Sequence, residues 1–506
     1  MAARTVRVVA RRYLDSIALL ALTAELSEVE GVIDASVAMA TPDGRERLRE
    51  RGYVEASIDD AGPNDLVLAV TGSPEACDRA FAAADAQLEP KRVGGDGSGS
   101  VEAETPRTID QFFRRGGVAD IAVVSVPGRF AAATARVAIA HGMHTMIFSD
   151  NVSVEDEVAL KIEGAANGVL VMGPDCGTAI MNGVPLGFAN AVRRGPVAVI
   201  GASGTGMQEV TSRLHHLGLG VSHAIGCGGR DVTDAVGART MIAALSFIAN
   251  DADTRAVILV SKPPGAAALR RVVEACAPVI GRGIPVVAAF VGLGGDSLDG
   301  TDLHVAGSLA GSADLVARLL GHQPDDPRPQ DPHYMAALAT ERSRRQSVDR
   351  RLIHGTFCGG TFAGEARSLL AAEGIRETAD GHTLIDFGDD EYTVGRPHPM
   401  IDPSARDARI RWAVTQPSTS VVLVDVVLGH GATMYPIESL EKIAAAIDAA
   451  SDGPIVIAHV CGTDDDPQCR RDIVEQLRRV GVVVADSNAD ATRIAAACIA
   501  RELHRG

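Results

Sequence analysis

The strongest constraint on the fold is a set of short, almost wholly apolar stretches that run into glycine or a polar turn. Examples are "VAVIG" (197–201), "AVILVSK" (256–262), "PVVAAFVG" (285–292), "SVVLVDVVLG" (420–429) and "PIVIAHVCG" (454–462). A strand that is apolar on both faces belongs in a parallel sheet covered by helices on each side. Helical patterns fall between these stretches, near 206–217, 231–249, 265–282 and 308–320. The alternation predicts doubly wound α/β units, whose ligands lie at the carboxyl ends of the strands.

At 506 residues the chain is too long for one core. Residues 1–93 read as a small α+β domain with a ferredoxin-like pattern, and "GGDGSGS" within 94–106 as a flexible linker. Residues 107–190 and 191–321 read as two successive α/β modules. The Pro-rich, charged stretch in 322–350 reads as a second linker, and 351–506 as a third α/β module. Strands followed by glycine turns recur in the same order in the last two modules, which suggests a pseudo-repeat.

The 48 basic against 65 acidic residues give a net charge of −17. That balance opposes binding to nucleic acid or to an anionic membrane, but it leaves room for a local basic pocket and a small anionic metabolite. The eight cysteines are scattered without a C-x-x-C pair and read as free thiols. No stretch reaches the ~18 apolar residues of a membrane span. A cytoplasmic protein is the expectation.

In "GPVAVIGASGTGMQEV" a buried strand meets a glycine turn and then a helix. Free amides and the helix dipole converge at such a turn, which makes it either an anion site or a tight turn with no ligand. Ser203, Gly204, Thr205 and Gly206 are the phosphate-binding candidates. Lys262, one of only four lysines, follows another buried strand. Arg230 in "GCGGRD" fits an anion contact or a brace for the next helix. "DFGDDEYTVGRPHPMIDP" collects Asp389, Asp390, Glu391, Arg396 and His398. Its carboxylates suit Mg²⁺ or a solvated acidic loop; Arg396 and His398 suit ligand contact, and His398 also acid–base work. His430 in "LGHGAT" and Cys176 in "GPDCGTA" are further pocket candidates. With no basic partner adjoining it in sequence, Cys176 reads rather as a small buried residue at a tight turn.

Together, "VMGPDCGTAI", "AVIGASGTGMQE", "HAIGCGGRD", "VSKPP", "DFGDDEYTVGRPHPMIDP", "DVVLGHGAT" and "CGTDDDPQC" resemble FdrA-type proteins of the succinyl-CoA synthetase superfamily, the NDP-forming acyl-CoA synthetases. The likeness runs from about residue 4 to 500. It implies an α/β, multidomain fold: a Rossmann-like CoA-binding-type module over 107–190, an α-type ligase module over 191–321 and a β-type ligase module over 351–506, the latter two flavodoxin-like. In this superfamily a helix from each ligase module holds a phosphohistidine between them. The resemblance places one such helix after "GASGTG" and the other after "GRPHPMIDPS".

Two departures shape the expected chemistry. The superfamily's "GHAGA" histidine loop is replaced by a segment whose only histidine is His304, and a glutamate that orients the histidine is replaced by Ser261 and Lys262. A cation there suits direct binding of phosphate. The glycine-rich loop that would cradle CoA ahead of residue 107 is also missing, which argues against CoA, and no ATP-grasp segment is recognisable. Through FdrA-type proteins the resemblance implies a subunit of oxamate carbamoyltransferase, with phosphate and carbamoyl phosphate as substrates, partner subunits and an oligomeric assembly. The alternatives are an acyl-CoA synthetase and a regulatory or scaffold subunit.

Overall fold

A computed structural model of the chain describes residues 3–503 apart from 13, 15, 28, 89–105, 324–336, 338–340, 342, 344–345, 348, 378–380, 394–396 and 449–452. Most of both expected linkers, and Arg396, lie outside the described residues. The chain divides into two compact units, one holding the first 111 residues and one holding most of the rest.

The first unit is an antiparallel sheet of β1 (Ala3–Val9), β2 (Val32–Met39) and β3 (Leu66–Gly72), in the order β1-β3-β2. Side chains alternate across a strand. Leu66, Leu68 and Val70 therefore pack on one face with Leu26 and Ala80, while Val67 and Ala69 pack on the other with Leu48, Tyr53 and Ile58.

Among the described residues the second unit contains three sheets. β4 (Ile121–Val124), β5 (His144–Ile147) and β6 (Val171–Met172) form a small parallel one. The next strands are β7 (Thr178–Met181), β8 (Val184–Gly187), β9 (Arg194–Gly201), β10 (Val221–Gly226), β11 (Ala256–Ser261), β12 (Val286–Phe290) and β13 (His304–Val305). They make a seven-stranded sheet in the order β13-β12-β11-β9-β10-β7-β8. The third sheet is wholly parallel, in the order β15-β14-β16-β17-β18, with β14 at Leu352–Phe357, β15 at Thr383–Asp386, β16 at Thr419–Val427, β17 at Ile455–Cys461 and β18 at Val483–Ala485. No described helix is long and apolar enough to cross a membrane.

Register brings the functional loops to one edge. Gly201 pairs with Gly226 and Val260, Ser261 with Phe290, and Phe357 with Asp386, so the strand ends are level. The two large sheets share one core: Val199, Met207, Val210 and Leu214 belong to the same buried cluster as Phe357, Phe362, Leu423 and Ile457. Each such side chain contributes roughly 1.5–3 kcal/mol when buried. A contact of this kind is a permanent core rather than a surface encounter.

The helix expected over 231–249 begins only at Arg239. Asp231 is the reason. Its carboxylate takes the amides of Thr240 and Met241 and an N–H from the buried Lys161, whose Nζ also donates to Glu157 and the Cys227 carbonyl. The preceding loop closes through Ala238 in the left-handed region, at φ 56°.

Candidate functional site

The helix Gly204–His216 starts where the sequence places it. Ser203 is extended, at φ −158° and ψ 115°, and its Oγ accepts the Gly206 amide at 3.0 Å. That satisfies one of the free N-terminal amides of the helix. A second helix, Gly360–Ala372, meets it end to end, with Ser203 Oγ and Thr361 Oγ1 2.5 Å apart. The approach requires glycine. A Cβ on Gly206 would stand 3.1 Å from Thr361 Cγ2, and one on Gly359 would collide with Thr205 Oγ1.

This partner helix is not the one expected. The helix after "GRPHPMIDPS", Ser404–Thr415, lies instead against β14, β16 and the helix Glu438–Asp448. The sequence does carry the signal for the true partner: "RLIHGTFCGGT" is again a buried strand, a glycine turn and a helix start. The two helices even share the pattern G-T-x-x-x-E, at Gly204, Thr205 and Glu209 and at Gly360, Thr361 and Glu365.

Both glutamates are buried and cross between modules. Glu365 Oε1 accepts the Leu309 amide at 2.7 Å, and its Oε2 accepts Asn488 Nδ2 at 2.8 Å. Glu209 Oε1 faces the Asn488 amide at 3.4 Å, and its Oε2 lies 2.5 Å from His459 Nε2. Leu309 and Asn488 are the first residues of the last helix of their respective modules. Each carboxylate thus meets a helix N-terminus of the opposite module, where negative charge is favoured. Burial drives the Glu365 carboxyl up to about 7.

The notch above the two N-termini is open at Gly204 and Lys262 and half-buried at Ser203, Gly360, Asp386 and His398. A Cβ placed on Gly360 would stand 2.5 Å from Asp386 Oδ2 and 3.0 Å from Lys262 Nζ. A cation, a carboxylate and two helix N-termini therefore converge on one point. Asp386, which ends β15, is a site residue that sequence reasoning passed over in favour of Asp389, Asp390 and Glu391. Its position one residue before the "FG" turn, at a strand's carboxyl end, is the signal that would have found it. Burial raises its carboxyl to about 6; Gly388 N–H and Lys262 oppose that, while Asp425 and Asp389 add to it.

His398 borders the same notch. Its Nε2 lies 2.8 Å from where a Cβ on Gly388 would be, and its ring packs 5.8 Å from Phe188. Burial pushes its imidazole down to about 4, so it is neutral near pH 7. His430, exposed, donates its amide to the Ala189 carbonyl; its neighbour Gly431 abuts Phe188.

The other sequence candidates are engaged elsewhere. Arg230 donates to the Val152 carbonyl at 2.8 Å and pairs with the buried Glu157 at 3.0 Å, the bracing arrangement. Cys176 is buried, its thiol pushed up to about 12 by desolvation, and donates to the Thr178 and Gly226 carbonyls. It is a turn residue. His304 sits exposed on the edge strand β13 opposite Val287, near the amino end of β12, whereas the notch lies beyond the carboxyl ends. Among the described residues, the one grouping with metal-ligand geometry is Glu209, His459 and Cys461, not the 389–391 loop.

Three family models match the chain: "AllF, heavy metal-associated domain" over residues 1–106, "CoA binding domain" over 192–290 and "CoA-ligase" over 356–498. The CoA-binding match falls on the segment read from sequence as the α-type ligase module. "Uncharacterized protein YahF" of Escherichia coli K12 is 36% identical over 501 residues, covering 94% of this chain and 95% of that protein. The chain belongs to the FdrA-type family of the succinyl-CoA synthetase superfamily. The FdrA-type chain is also 28% identical over 151 residues to "Succinate--CoA ligase [ADP-forming] subunit alpha 2" of Archaeoglobus fulgidus, covering 29% of this chain and 51% of that subunit. Among solved structures, PH0766 from Pyrococcus horikoshii OT3 covers 83% of this chain and 90% of its own, at 15% identity and a TM-score of 0.32. A dinucleotide-forming acetyl-coenzyme A synthetase 1 of Ca. Korarchaeum cryptofilum covers 76% and 84%, at 16% identity and a TM-score of 0.29.

Two groups suggested by these family names can be tested against the residues. A CoA pyrophosphate cradled by the "GASGTG" turn would need the Gly206 amide, but Ser203 Oγ holds that amide at 3.0 Å and Thr361 closes the side of Gly206. The turn does not fit that group. A heavy metal in the first unit would need soft donors. Residues 1–106 contain no histidine and a single cysteine, Cys77, which is buried and hydrogen-bonded to the Val70 carbonyl. This unit does not fit a thiolate metal site either.

Proposed function

We propose that the notch binds phosphate, or the phosphoryl group of an acyl phosphate, and that the chain transfers an acyl group between phosphate and an acceptor. The observation that carries this reading is the convergence of two helix N-termini and Lys262 on one accessible point. Helix dipoles and the Lys262 cation stabilise a dianion there. The CoA-ligase and CoA-binding family matches support an acyl-CoA synthetase type of reaction, with acyl phosphate as the shared species.

A second reading is favoured by Lys262 itself. With a lysine rather than a carboxylate at this strand end, and with His304 near the amino end of β12, away from the carboxyl ends, direct attack by phosphate replaces a phosphohistidine relay. Attack on the ureido carbonyl of oxalurate would yield carbamoyl phosphate and oxamate, the carbamoyltransferase reaction implied by the FdrA resemblance. Backbone amides at the notch would then stabilise the developing oxyanion.

The test is titration calorimetry of the full chain with phosphate, carbamoyl phosphate and CoA. It is paired with assays of carbamoyl phosphate formation from oxalurate and of acyl-CoA formation from succinate, using chain purified with its partner subunits. Phosphate binding with carbamoyl phosphate formation supports the second reading. CoA-dependent product alone supports the ligase. Absence of phosphate binding overturns both and leaves a regulatory subunit.

A further inference from the structure

We propose that Asp386 is the acid–base residue of this notch, taking the proton of the attacking phosphate and returning it to the leaving group. The proposal rests on the phosphate-binding reading above. Its basis is placement. Asp386 Oδ1 is held by the Gly388 amide at 2.9 Å, so the carboxylate is fixed, and Oδ2 is turned over Gly360 beside Lys262 Nζ. A carboxylate oxygen can only accept hydrogen bonds. A ligand oxygen that reaches both groups must accept from Lys262 and present its own proton to Asp386. Hydrogen phosphate has such an oxygen.

The neighbouring groups are unsuited to the task. His398 Nδ1 faces the Met400 amide at 3.3 Å, so in the neutral ring the hydrogen sits on Nε2, which makes it a donor and not a base. Asp425 takes the Cys358 amide on both oxygens and pairs with the buried Arg406. The Cys358 thiol is pushed well up by burial and lies against Arg406. Asp389 is exposed and accepts the Glu391 amide. Asp386, raised to about 6 by burial with Asp425 and Asp389 adding and Lys262 opposing, is ionised near pH 7 yet basic enough to hold a proton briefly.

The step balances with one proton. As the phosphate oxygen bonds to the carbonyl carbon, its proton passes to Asp386. The bond from that carbon to the leaving atom then breaks, its electron pair stays with the leaving atom, and Asp386 returns the proton there. No oxidant or further reactant is needed. The same transfer serves a carbamoyl or any other acyl group.

The experiment compares wild type, Asp386→Asn and Asp386→Glu, each as full chain with its partner subunits. Phosphate binding is read by calorimetry and turnover across pH 5–9. Asp386→Asn should bind phosphate at least as tightly, because a negative charge is removed, and should lose roughly 100-fold or more in kcat. Its kcat/KM profile should lose the acidic limb expected of wild type near pH 6. Asp386→Glu should recover part of the rate with a limb. Wild-type kcat and pH profile in Asp386→Asn would overturn the proposal while leaving the phosphate site standing. So would loss of phosphate binding in step with turnover, which marks a structural role. A wild type that binds no phosphate overturns the reading beneath it as well.

Discussion

Ser203 Oγ and Thr361 Oγ1, 158 positions apart in the chain, lie 2.5 Å apart and join two helix N-termini. Ser203 also caps its own helix through Gly206, so one hydroxyl serves both the local fold and the junction. Thr361→Val keeps the side chain's shape and removes the junction bond. The fold should lose about 1 kcal/mol, since a neutral hydrogen bond contributes ~0.5–1.5 kcal/mol net. Phosphate affinity should fall by about tenfold, the scale of a hydrogen bond to a charged oxygen. Calorimetry and denaturant unfolding read the two effects separately, and unchanged affinity would place the anion away from this junction.

Lys262 follows the carboxyl end of β11, with its Nζ beside Gly360 and Asp386. A charge-assisted hydrogen bond contributes roughly 1.5–3 kcal/mol. Lys262→Met should therefore raise the KM for phosphate, or lower turnover, by about tenfold or more. Lys262→Glu should be worse, because it repels the dianion. Stability should barely move, since the side chain is exposed. Wild-type phosphate kinetics in both variants would remove the lysine from the site.

The alternation of apolar strands and helices made the sheets legible, because each parallel strand is buried on both faces. "GASGTG" and Lys262 were legible for the same reason, as both sit directly at strand ends. The resemblance alone pointed to the helix after "GRPHPMIDPS" as the partner, whereas "CGGT", a turn with the same strand–glycine–helix physics as "GASGTG", begins the helix that meets Gly204. Asp386 was missed because sequence does not show which of four nearby carboxylates points over a helix N-terminus. Arg230 could not be separated from its bracing alternative until its partner, Glu157, became known from a different helix.

His398 is pushed down to about 4 by burial. Its folded value lies below the ordinary imidazole range, so the ring should stay neutral throughout pH 5–8. NMR titration of the His398 Cε1–H signal, assigned by comparison with His398→Gln, should show its midpoint near 4. A midpoint between 6 and 7 would mean a solvated ring that carries charge at the site. A neutral ring also predicts that the acidic limb of the rate survives in His398→Gln, because another group gives rise to it.

Glu209 and His459 join the modules from beneath the notch, both buried. Burial alone would lower the imidazole of His459, but the carboxylate outweighs it and raises the folded value above 6.5. The sign follows. His459 adds stability that is fully present below pH 6.5, where the unfolded chain is protonated too, and is lost as pH rises through the folded value. His216, lowered by burial to about 3, acts only below pH 6.5 and does not disturb this window. His459→Leu leaves the Glu209 carboxylate buried without its cation, which should cost about 3–5 kcal/mol. Wild type should lose thermal stability between pH 6.5 and 9, and His459→Leu should lose much less over the same interval. Thermal unfolding at half-unit steps of pH reads both. Parallel curves for the two proteins would show that His459 is neutral in the fold and that the module junction rests on its apolar core.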